Sequence, residues 1–419
     1  MATYGKILLI AMPAFLLLVL LEKWYAWKKG DDNVRTNDMV SSLLSGVTNV
    51  TKDVLGLSIA ILSYGWMVTH WSLYQIEANW LTYLIAFLTL DFSGYCVHRI
   101  QHRFNFFWNG HMIHHSSEEF NLACALRQSI SSIVKIFAIF LLPAALLGVP
   151  EQVIAVVAPL HLFAQFWYHT VHIQKMGWLE KIIVTPSHHR VHHAINPEYI
   201  DKNFSQIFIF WDKWLGTFQE ELADKPPVYG VTRPVQTWNP IKINFLHVWL
   251  LIKDAWHTKH WKDKFRIWLM PTGWRPADVA QRYPIKKIGD IYSFKKYDPF
   301  VLQGMKPWLW TQLLALLGFV AYLFGNIAAI GSPGMFVYGL FVFLFVYALA
   351  ELMDNNPNAW VWELLKTTAG VGIIGYWGDW FQTGNILRIF ILAYLILSLV
   401  LTWHFCKKIK STIVATASA

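Results

Sequence analysis

Long apolar segments alternate with shorter polar segments along most of the chain. A helix needs about 20 apolar residues to cross a hydrocarbon core of roughly 30 Å, and several of the segments approach that length. The pattern predicts nine membrane-spanning helices, at residues 7–21, 54–68, 81–97, 133–149, 153–167, 309–330, 335–352, 360–377 and 386–405. The segment 360–377 gives the weakest signal because it contains Glu363 and Lys366.

The composition agrees with a membrane protein. Of the 419 residues, 55% are hydrophobic and only 15% are charged, whereas soluble domains contain roughly 25% charged residues. The three cysteines lie far apart and form no CxxC, which argues against a disulfide framework and against a thiolate metal site. The net charge of +9 favours an anionic membrane surface over nucleic acid as the partner.

Basic residues predict the orientation of the chain in the membrane. The interval 171–306 contains 20 Lys and Arg against 12 Asp and Glu, so the positive-inside rule places it on the cytoplasmic side. We therefore predict an all-α, polytopic membrane helix bundle with a cytoplasmic helical cap. It has three regions: N-terminal transmembrane helices at 1–97, a catalytic region with two further spans and an interfacial cap at 98–306, and C-terminal transmembrane helices at 307–419.

Histidines provide the clearest candidate chemistry, since twelve of the 17 lie between positions 98 and 193. Three clusters have helical spacing: His98 and His102; His111, His114 and His115; and His189, His192 and His193. Residues three and four apart share a helix face, so each cluster can direct two or three imidazoles at one point. Eight or more imidazoles exceed the capacity of one ion, and the pattern therefore predicts a site for two metal ions.

The position of the clusters favours an oxidation at the membrane surface. All three lie at the ends of predicted spans on one side, whereas a metal transporter tends to carry its ligands in the middle of its spans. Iron with many imidazoles and open positions suits dioxygen activation, while zinc usually takes three or four ligands. We expect oxidation of a lipid C–H bond, with hydroxylation and desaturation both open. A metal transporter or sensor is the alternative from another class.

Several motifs resemble a known family. HRIQH (98–102), HMIHH (111–115) and HHRVHH (188–193) are similar to the three histidine boxes of the membrane-bound fatty acid hydroxylase and sterol desaturase superfamily. Within it, HHSSEEFNLACALRQS (114–129), FWYHT (166–170), TPSHHRVHH (185–193), IDKN (200–203) and WDKWLGTF (211–218) resemble the alkylglycerol monooxygenase family.

This resemblance implies a non-haem diiron enzyme that uses dioxygen to hydroxylate the ether-linked carbon of alkylglycerols. The resulting hemiacetal breaks down to a fatty aldehyde and glycerol. The enzyme would lie in the endoplasmic reticulum if the source is eukaryotic, or in the cytoplasmic membrane if it is bacterial. By position, the implied metal ligands are His98, His102, His111, His114, His115, His169, His189, His192 and His193.

One departure from the family pattern concerns the reductant. The first histidine box of the family is followed by a glutamate that is associated with tetrahydrobiopterin, whereas here Arg103 follows His102. A guanidinium cannot accept hydrogen bonds from a pterin ring as a carboxylate does. Tetrahydrobiopterin, another small reductant and a protein electron donor therefore all stay open. Glu118 and Glu119 are the nearby candidates for a compensating carboxylate.

A second set of residues has less definite expected roles. Asp91 shares a helix face with the first histidine cluster and is a candidate acceptor for a ligand imidazole, or a solvated polar residue. His172 and His188 are uncertain members of the site. The candidate pocket residues for substrate or cofactor are Trp108, Asn109, Glu118, Arg127 and Gln128. The GVGIIG motif at 370–375 matches a dinucleotide fingerprint, but its position in an apolar span favours helix packing.

Overall fold

The computed structural model describes the backbone of residues 2–417 and the side chains of residues 4–134 and 136–415. Within these residues the chain forms sixteen α-helices. They are α1 Ala2–Lys29, α2 Thr36–Val54, α3 Tyr64–Trp71, α4 Trp80–Arg103, α5 Asn105–His115, α6 Leu142–Leu146, α7 Glu151–Phe163, α8 Pro186–His193, α9 Phe210–Trp214, α10 Pro240–His257, α11 Trp261–Arg266, α12 Ala277–Arg282, α13 Met305–Ile330, α14 Gly334–Met353, α15 Ala359–Trp377 and α16 Gly384–Ala417.

Extended structure is minimal in the described chain. Strand β1 (Ile59–Ala60) pairs in parallel with β2 (Val134–Lys135), and three short 3₁₀ helices lie at Cys124–Leu126, Phe137–Leu141 and Gly177–Lys181. The predicted all-α class is confirmed.

Five described helices are long and apolar enough to cross a membrane: α1, α4, α13, α14 and α16. They agree with five of the nine predicted spans, and a multi-pass membrane architecture is confirmed. Helix α15 has 19 residues, enough to span, but its buried Glu363 and Lys366 make it less apolar. These two side chains form an ion pair with N···O 2.6 Å, packed between α14 and α16.

The three other predicted spans are wrong as single long helices. In 54–68, Gly56 adopts φ +68° and ends α2, and the Ser63 side chain then caps the short helix α3. The segment 133–149 divides into β2, a 3₁₀ helix and α6, with Pro143 at the start of α6 and Gly148 at φ +73° just after it. The third segment forms α7, only 13 residues long.

The first and last helices share one apolar core. Helix α1 packs on α13, α13 on α14, α14 on α15 and α15 on α16, while α2 packs against α13 and α14. Helix α4 packs against α5 and α7, and α10 packs against α5. Residues of α1 and α2 and of α13 to α16 contribute to a single buried cluster, and the division into three regions stays a prediction.

Helix α5 follows α4 after a sharp break at Phe104. Phe104 is extended (φ −119°, ψ 134°), and its N–H bonds the carbonyl of Ile100 to close α4. The new helix therefore begins at the end of a span, and its histidines face those of α4. Helix α8 brings the third histidine cluster to the same place, with Pro186 in its first turn and the Thr185–His188 capping box at its start.

Candidate metal centre

Nine buried or half-buried imidazoles form two adjacent groups. The first histidine group consists of His98, His102, His111, His115 and His192, and the second of His114, His169, His189 and His193. Within each group the ligand nitrogens all lie within 4.8 Å of one another. The structure thus brings together all nine histidines that the sequence singled out as ligands, and their role in holding metal is taken up below as a proposal.

Each HxxHH box contributes to both groups. In α5 the outer pair, His111 and His115, joins the first group while His114 joins the second. In α8 the relation is reversed, since His189 and His193 join the second group and His192 joins the first. Each HxxHH box thus directs two of its rings at one group and the third ring at the other. At about 100° per residue, positions i and i+4 lie close together on the helix, and i+3 projects to the other side of i.

The spacing of the nitrogens would allow several of them to bind one metal ion. Nε2 of His98 lies 2.9 Å from Nε2 of His111, and Nε2 of His115 lies 3.1 Å from those of His102 and His111. In the second group, Nε2 of His189 lies 2.9 Å and 3.0 Å from its neighbours His169 and His193. With metal–nitrogen bonds of about 2.1 Å, two ligands at right angles are roughly 3 Å apart.

Backbone carbonyls fix which nitrogen of the ring points inward. Nδ1 of His98 lies 2.8 Å from the carbonyl of Phe204, and Nδ1 of His192 lies 2.9 Å from that of Lys202. Nδ1 of His169 contacts the carbonyl of Gln165 at 3.0 Å. A carbonyl only accepts, so each Nδ1 carries the proton and each Nε2 presents a lone pair. Nε2 of His192 is buried without a hydrogen-bond partner in the described structure, as expected of a free ligand atom.

Burial keeps these rings neutral. Burial is the main cause that lowers the pKa of His114 well below its usual value, and the nearby His169 lowers it further. Burial and neighbouring imidazoles also lower the pKa of His115 and of His193 well below the usual value. Burial lowers the pKa of His169 to about 4. Neutral imidazole is the form that ligates a metal, so at pH 7 the groups present nitrogen lone pairs.

Aromatic side chains enclose both groups. Trp108 lies beside the first group, with ring centroids 5.0 Å from His102 and 5.5 Å from His115. Phe204 covers another side of that group, 5.2 Å from His102. Phe120 lies 5.2 Å from His193 of the second group. This apolar shell excludes water and strengthens electrostatic interactions at the centre. Of the predicted pocket residues, Trp108 packs its ring against the first group, and the backbone of Arg127 approaches His114 of the second.

Asp91 lies away from both histidine groups. Its carboxylate accepts hydrogen bonds from Nε2 of His161 at 2.9 Å, from the backbone N–H groups of Ile207 and Phe208, and from the indole of Trp211. The hydrogen bonds of Asp91 thus connect α4 to α7 and to the segment whose backbone carbonyls accept from His98 and His192. Its effect on the ligands runs through the backbone rather than through a direct contact with a ligand imidazole.

The uncertain histidines have separate surroundings. Nδ1 of His188 faces the backbone N–H of Thr185 and completes the cap of α8. The His172 ring packs edge-on against Tyr25, with centroids 5.0 Å apart. Neither ring belongs to a group.

The remaining predicted pocket residues join elements of the cap. Arg127 is buried and donates to Asp38 at 2.9 Å and to Ser116 at 2.7 Å. The Gln128 side chain donates to the carbonyl of Ala125, and Asn109 links Ser131 to the backbone N–H of Val248.

Glu118 and Glu119, the two candidate compensating carboxylates, also have hydrogen-bond or ion-pair partners. Glu118 accepts from the backbone N–H of Tyr297, and Glu119 pairs with Arg35 and with Lys296 at 3.0 Å. Burial raises the pKa of both carboxyls, and nearby cations oppose that effect.

Two carboxylates near the groups were missed in the sequence. Oδ1 of Asp201 lies 3.4 Å from Nδ1 of His102, the arrangement that orients a ligand imidazole in many metal sites. Glu22 of α1 accepts from the Thr170 hydroxyl and the Leu122 backbone N–H, both at 2.6 Å. Asp201 lies in the IDKN motif and could have been found there. No sequence motif indicated Glu22, because its partner Thr170 lies about 150 residues away in the chain.

The region that contains the histidines matches the family described as "Fatty acid hydroxylase", over residues 83–217. Together with the membrane helices and the paired histidine groups, this match defines the class of protein: a membrane-bound hydroxylase with a histidine-rich centre.

Comparisons with individual proteins indicate a more specific family within this class. The chain is 35% identical to the alkylglycerol monooxygenase of Homo sapiens over 363 residues, which cover 85% of this chain and 80% of the human protein. Identity to the alkylglycerol monooxygenase of Danio rerio is 33% over 366 residues, covering 85% and 79%. Ornithine lipid hydroxylase OlsE of Rhizobium tropici is 28% identical over 153 residues, 36% of this chain and 46% of that protein. No solved structure matches the chain.

The chain belongs to the alkylglycerol monooxygenase family. The predicted resemblance is thereby confirmed, and so is the predicted class of enzyme, a membrane-bound oxidoreductase of the lipid hydroxylase superfamily.

Proposed function

We propose that the protein is a diiron monooxygenase that hydroxylates the ether-linked carbon of alkylglycerols. One atom of dioxygen enters the C–H bond, and the other leaves as water with two electrons and two protons from a reductant. The hemiacetal product then breaks down to a fatty aldehyde and a glycerol derivative. The observation that carries the proposal is the pair of buried, neutral imidazole groups in a chain that is 35% identical to an alkylglycerol monooxygenase.

The nine histidines of the two groups hold the two iron ions in this proposal. When bound, the iron supplies the activation of dioxygen that C–H hydroxylation requires. The carbonyls of Phe204 and Lys202 hold the protons on Nδ1 of His98 and His192. Asp201 orients His102. Phe120, Trp108 and Phe204 exclude bulk water from the rings, which protects a reactive site from side reactions.

The location follows from the charge distribution. We place the end of the spans that bears the histidines on the cytoplasmic side, because the long basic interval 171–306, which connects α7 to α13, contains the third histidine cluster. The membrane is the endoplasmic reticulum in a eukaryote and the cytoplasmic membrane in a bacterium.

The surroundings of Arg103, Glu118 and Glu119 bear on the source of the electrons. The Arg103 side chain is exposed, so it does not take the place of a carboxylate near the rings. The backbone carbonyl of Arg103 accepts from the N–H of Thr272. Glu118 and Glu119 are neutralised by cations and do not contact the groups. Tetrahydrobiopterin, another small donor and a redox protein should therefore be supplied in parallel.

The test is iron content together with product analysis. Purified protein should contain about two iron atoms per chain. With dioxygen and a reductant it should convert a long-chain 1-O-alkylglycerol to the corresponding fatty aldehyde. Removal of iron by a chelator should abolish this conversion, and added Fe²⁺ should restore it.

The outcomes separate the alternatives. Product from a fatty acyl, sterol or carotenoid substrate, with none from alkylglycerol, would assign the chain to another reaction of the superfamily. Metal flux into liposomes without oxygen consumption would indicate transport instead. Zinc in place of iron would contradict the diiron proposal.

A further inference from the structure

One face of α10 carries large apolar side chains that no other described element covers. Phe245, Trp249, Ile252 and Trp256 are exposed, Trp256 to 80%. Their spacing of four, three and four residues places them in one stripe, roughly 60° wide on a helix of 3.6 residues per turn. This is the α10 stripe.

The opposite face of α10 is also apolar but is buried. Ile243, His247, Leu250 and Leu251 lie there, and this side packs on α5, the helix that carries His111. Helix α10 therefore has one partnered apolar face and one unpartnered apolar face. A surface helix of a soluble domain normally has a polar outer face, so the α10 stripe needs an apolar neighbour.

Helix α11 and the turn after it extend the α10 stripe. Trp261 is 73% exposed, Phe265 72% and Leu269 64%. Tryptophan is enriched where a protein meets the head-group region of a membrane, because its ring is amphipathic. Three exposed tryptophans thus lie within 13 residues of the chain.

The start of α10 is anchored to the end of one span. Asn239 caps α10 and donates to Glu351, near the C-terminal end of α14, at 2.8 Å. Lys242 pairs with the same carboxylate at 2.5 Å. The residue just before the cap, Trp238, donates its N–H to Asp354, the residue that follows α14.

The segment after α11 is anchored to the end of another span. Phe106 and Asn105, which follow α4, donate their N–H groups to the carbonyls of Trp268 and Met270 at 3.0 Å. The N–H of Thr272 donates to the carbonyl of Arg103, the last residue of α4. Helices α10 and α11 therefore extend between the ends of two spans, at the boundary where both meet the cap.

Positive charges flank the apolar surface. Lys253, Lys259 and Lys262 are exposed and form no ion pair with a described carboxylate. By contrast, Asp254 and Asp263 are buried and paired with Arg275 and Arg266. The partly exposed carboxylate of Asp278 forms no ion pair with a described side chain and accepts from the Thr258 hydroxyl and the Lys259 backbone N–H. With three free lysines against this one carboxylate, the exposed charge here is net positive, as expected beside anionic lipid head groups.

We infer that the α10 stripe and the exposed side chains of α11 are a membrane-binding surface, inserted in the head-group region of the leaflet at whose boundary α4 and α14 end. An interfacial helix inserts its apolar face by about 5–10 Å. Because packed helices lie about 8–10 Å apart, α5 is then held within roughly one helix diameter of the lipid. This brings the histidines close to the depth of an ether-linked carbon, a consequence that rests on the proposed function.

The experiment measures contact with lipid directly and does not depend on activity. The full-length, iron-loaded protein is placed in vesicles of phosphatidylcholine and phosphatidylglycerol. A Cys96→Ala background removes the partly exposed thiol, since Cys124 and Cys406 are buried. Trp256→Cys and Phe265→Cys are each labelled with an environment-sensitive fluorophore. Asp224→Cys, exposed in a polar part of the cap, is the matched control.

Labels at 256 and 265 should lose emission several-fold when the lipids are brominated near the head group, and should resist aqueous iodide. The label at 224 should show the opposite behaviour. Quenching of the 256 and 265 labels by iodide and not by bromolipid would overturn the inference. Protection from both quenchers would also overturn it, and would indicate a protein partner or a second copy on this surface. Alkylglycerol cleavage is assayed separately, so failure of the proposed function would leave the quenching result intact.

Discussion

The imidazole of His115 stacks on that of His193, with ring centroids 4.4 Å apart and planes 24° from parallel. His115 belongs to the first histidine group and His193 to the second, so the two rings form the partition between the groups. Both groups take rings from α5 and α8, and they differ in the other source: α4 supplies His98 and His102 to the first group, and the segment after α7 supplies His169 to the second.

Single ligand substitutions should distinguish the two groups. His111→Ala removes a nitrogen from the first group and His114→Ala one from the second. Each should lower the iron content from about two towards one per chain and reduce turnover by at least about 100-fold, because loss of even an outer-shell partner costs 10- to 100-fold. Elemental analysis and product assays measure both effects. His260→Ala, an exposed histidine outside the groups, is the control. Unchanged iron in both ligand variants would refute the assignment.

Asp201→Asn should weaken metal binding without disturbing the backbone. Asp201 adopts φ +58°, a conformation that asparagine tolerates well. The substitution removes the charge that faces Nδ1 of His102 at 3.4 Å. Iron affinity should fall about 10- to 100-fold, measured by competition with a chelator. Asp224→Asn, exposed and remote from the rings, should keep the parent affinity. Equal affinity in both variants would show that Asp201 does not orient its neighbour.

Asp91→Ala should destabilise the fold more than it changes the chemistry. The substitution leaves buried donors on His161, Ile207, Phe208 and Trp211 without an acceptor. The expected loss is about 3 kcal/mol in the free energy of unfolding, because each unsatisfied buried donor costs about 1–3 kcal/mol and relaxation recovers part of the sum. Thermal unfolding in detergent measures it. Asp32→Ala, at an exposed position, should have little effect. A small loss for Asp91→Ala would mean that water replaces the carboxylate.

The metal-free protein should lose stability in mild acid. Burial lowers the pKa of His169 to about 4, whereas the unfolded chain binds this proton near pH 6.5. As the pH falls from about 6.5 to 4, the unfolded state takes up more protons, so the free energy of unfolding decreases. This one residue contributes a decrease of about 3 kcal/mol, which levels off below the folded pKa. Unfolding curves of metal-free His169→Asn should depend less steeply on pH between 6.5 and 4.

The histidine pattern could be found in the sequence because helical spacing is local. The i, i+3, i+4 spacing of His111, His114 and His115 indicates that these rings are neighbours on the surface of one helix. It did not reveal that His114 joins the second group, because that depends on how α5 and α8 face each other. The IDKN motif marks Asp201 as a candidate, but its contact with His102 spans about 100 residues, a distance over which one sequence carries no contact information.

The errors in the predicted spans have a local cause. Hydropathy averages over a window and does not register a single residue that turns the backbone. Gly56 at φ +68° and Pro143 each end or divide an apolar segment that is otherwise suitable for a span. The five long helices contain no such break, except that α1 continues through Pro13.

The exchange of rings between the two boxes links the two halves of the centre mechanically. His114 shares α5 with His111 and His115 of the opposite group, and His192 shares α8 with His189 and His193 of the opposite group. A tilt or slide of α5 or α8 must therefore change nitrogen spacings in both halves simultaneously. Adjustment at one half cannot occur in isolation, and strain introduced at either helix is distributed over the entire centre.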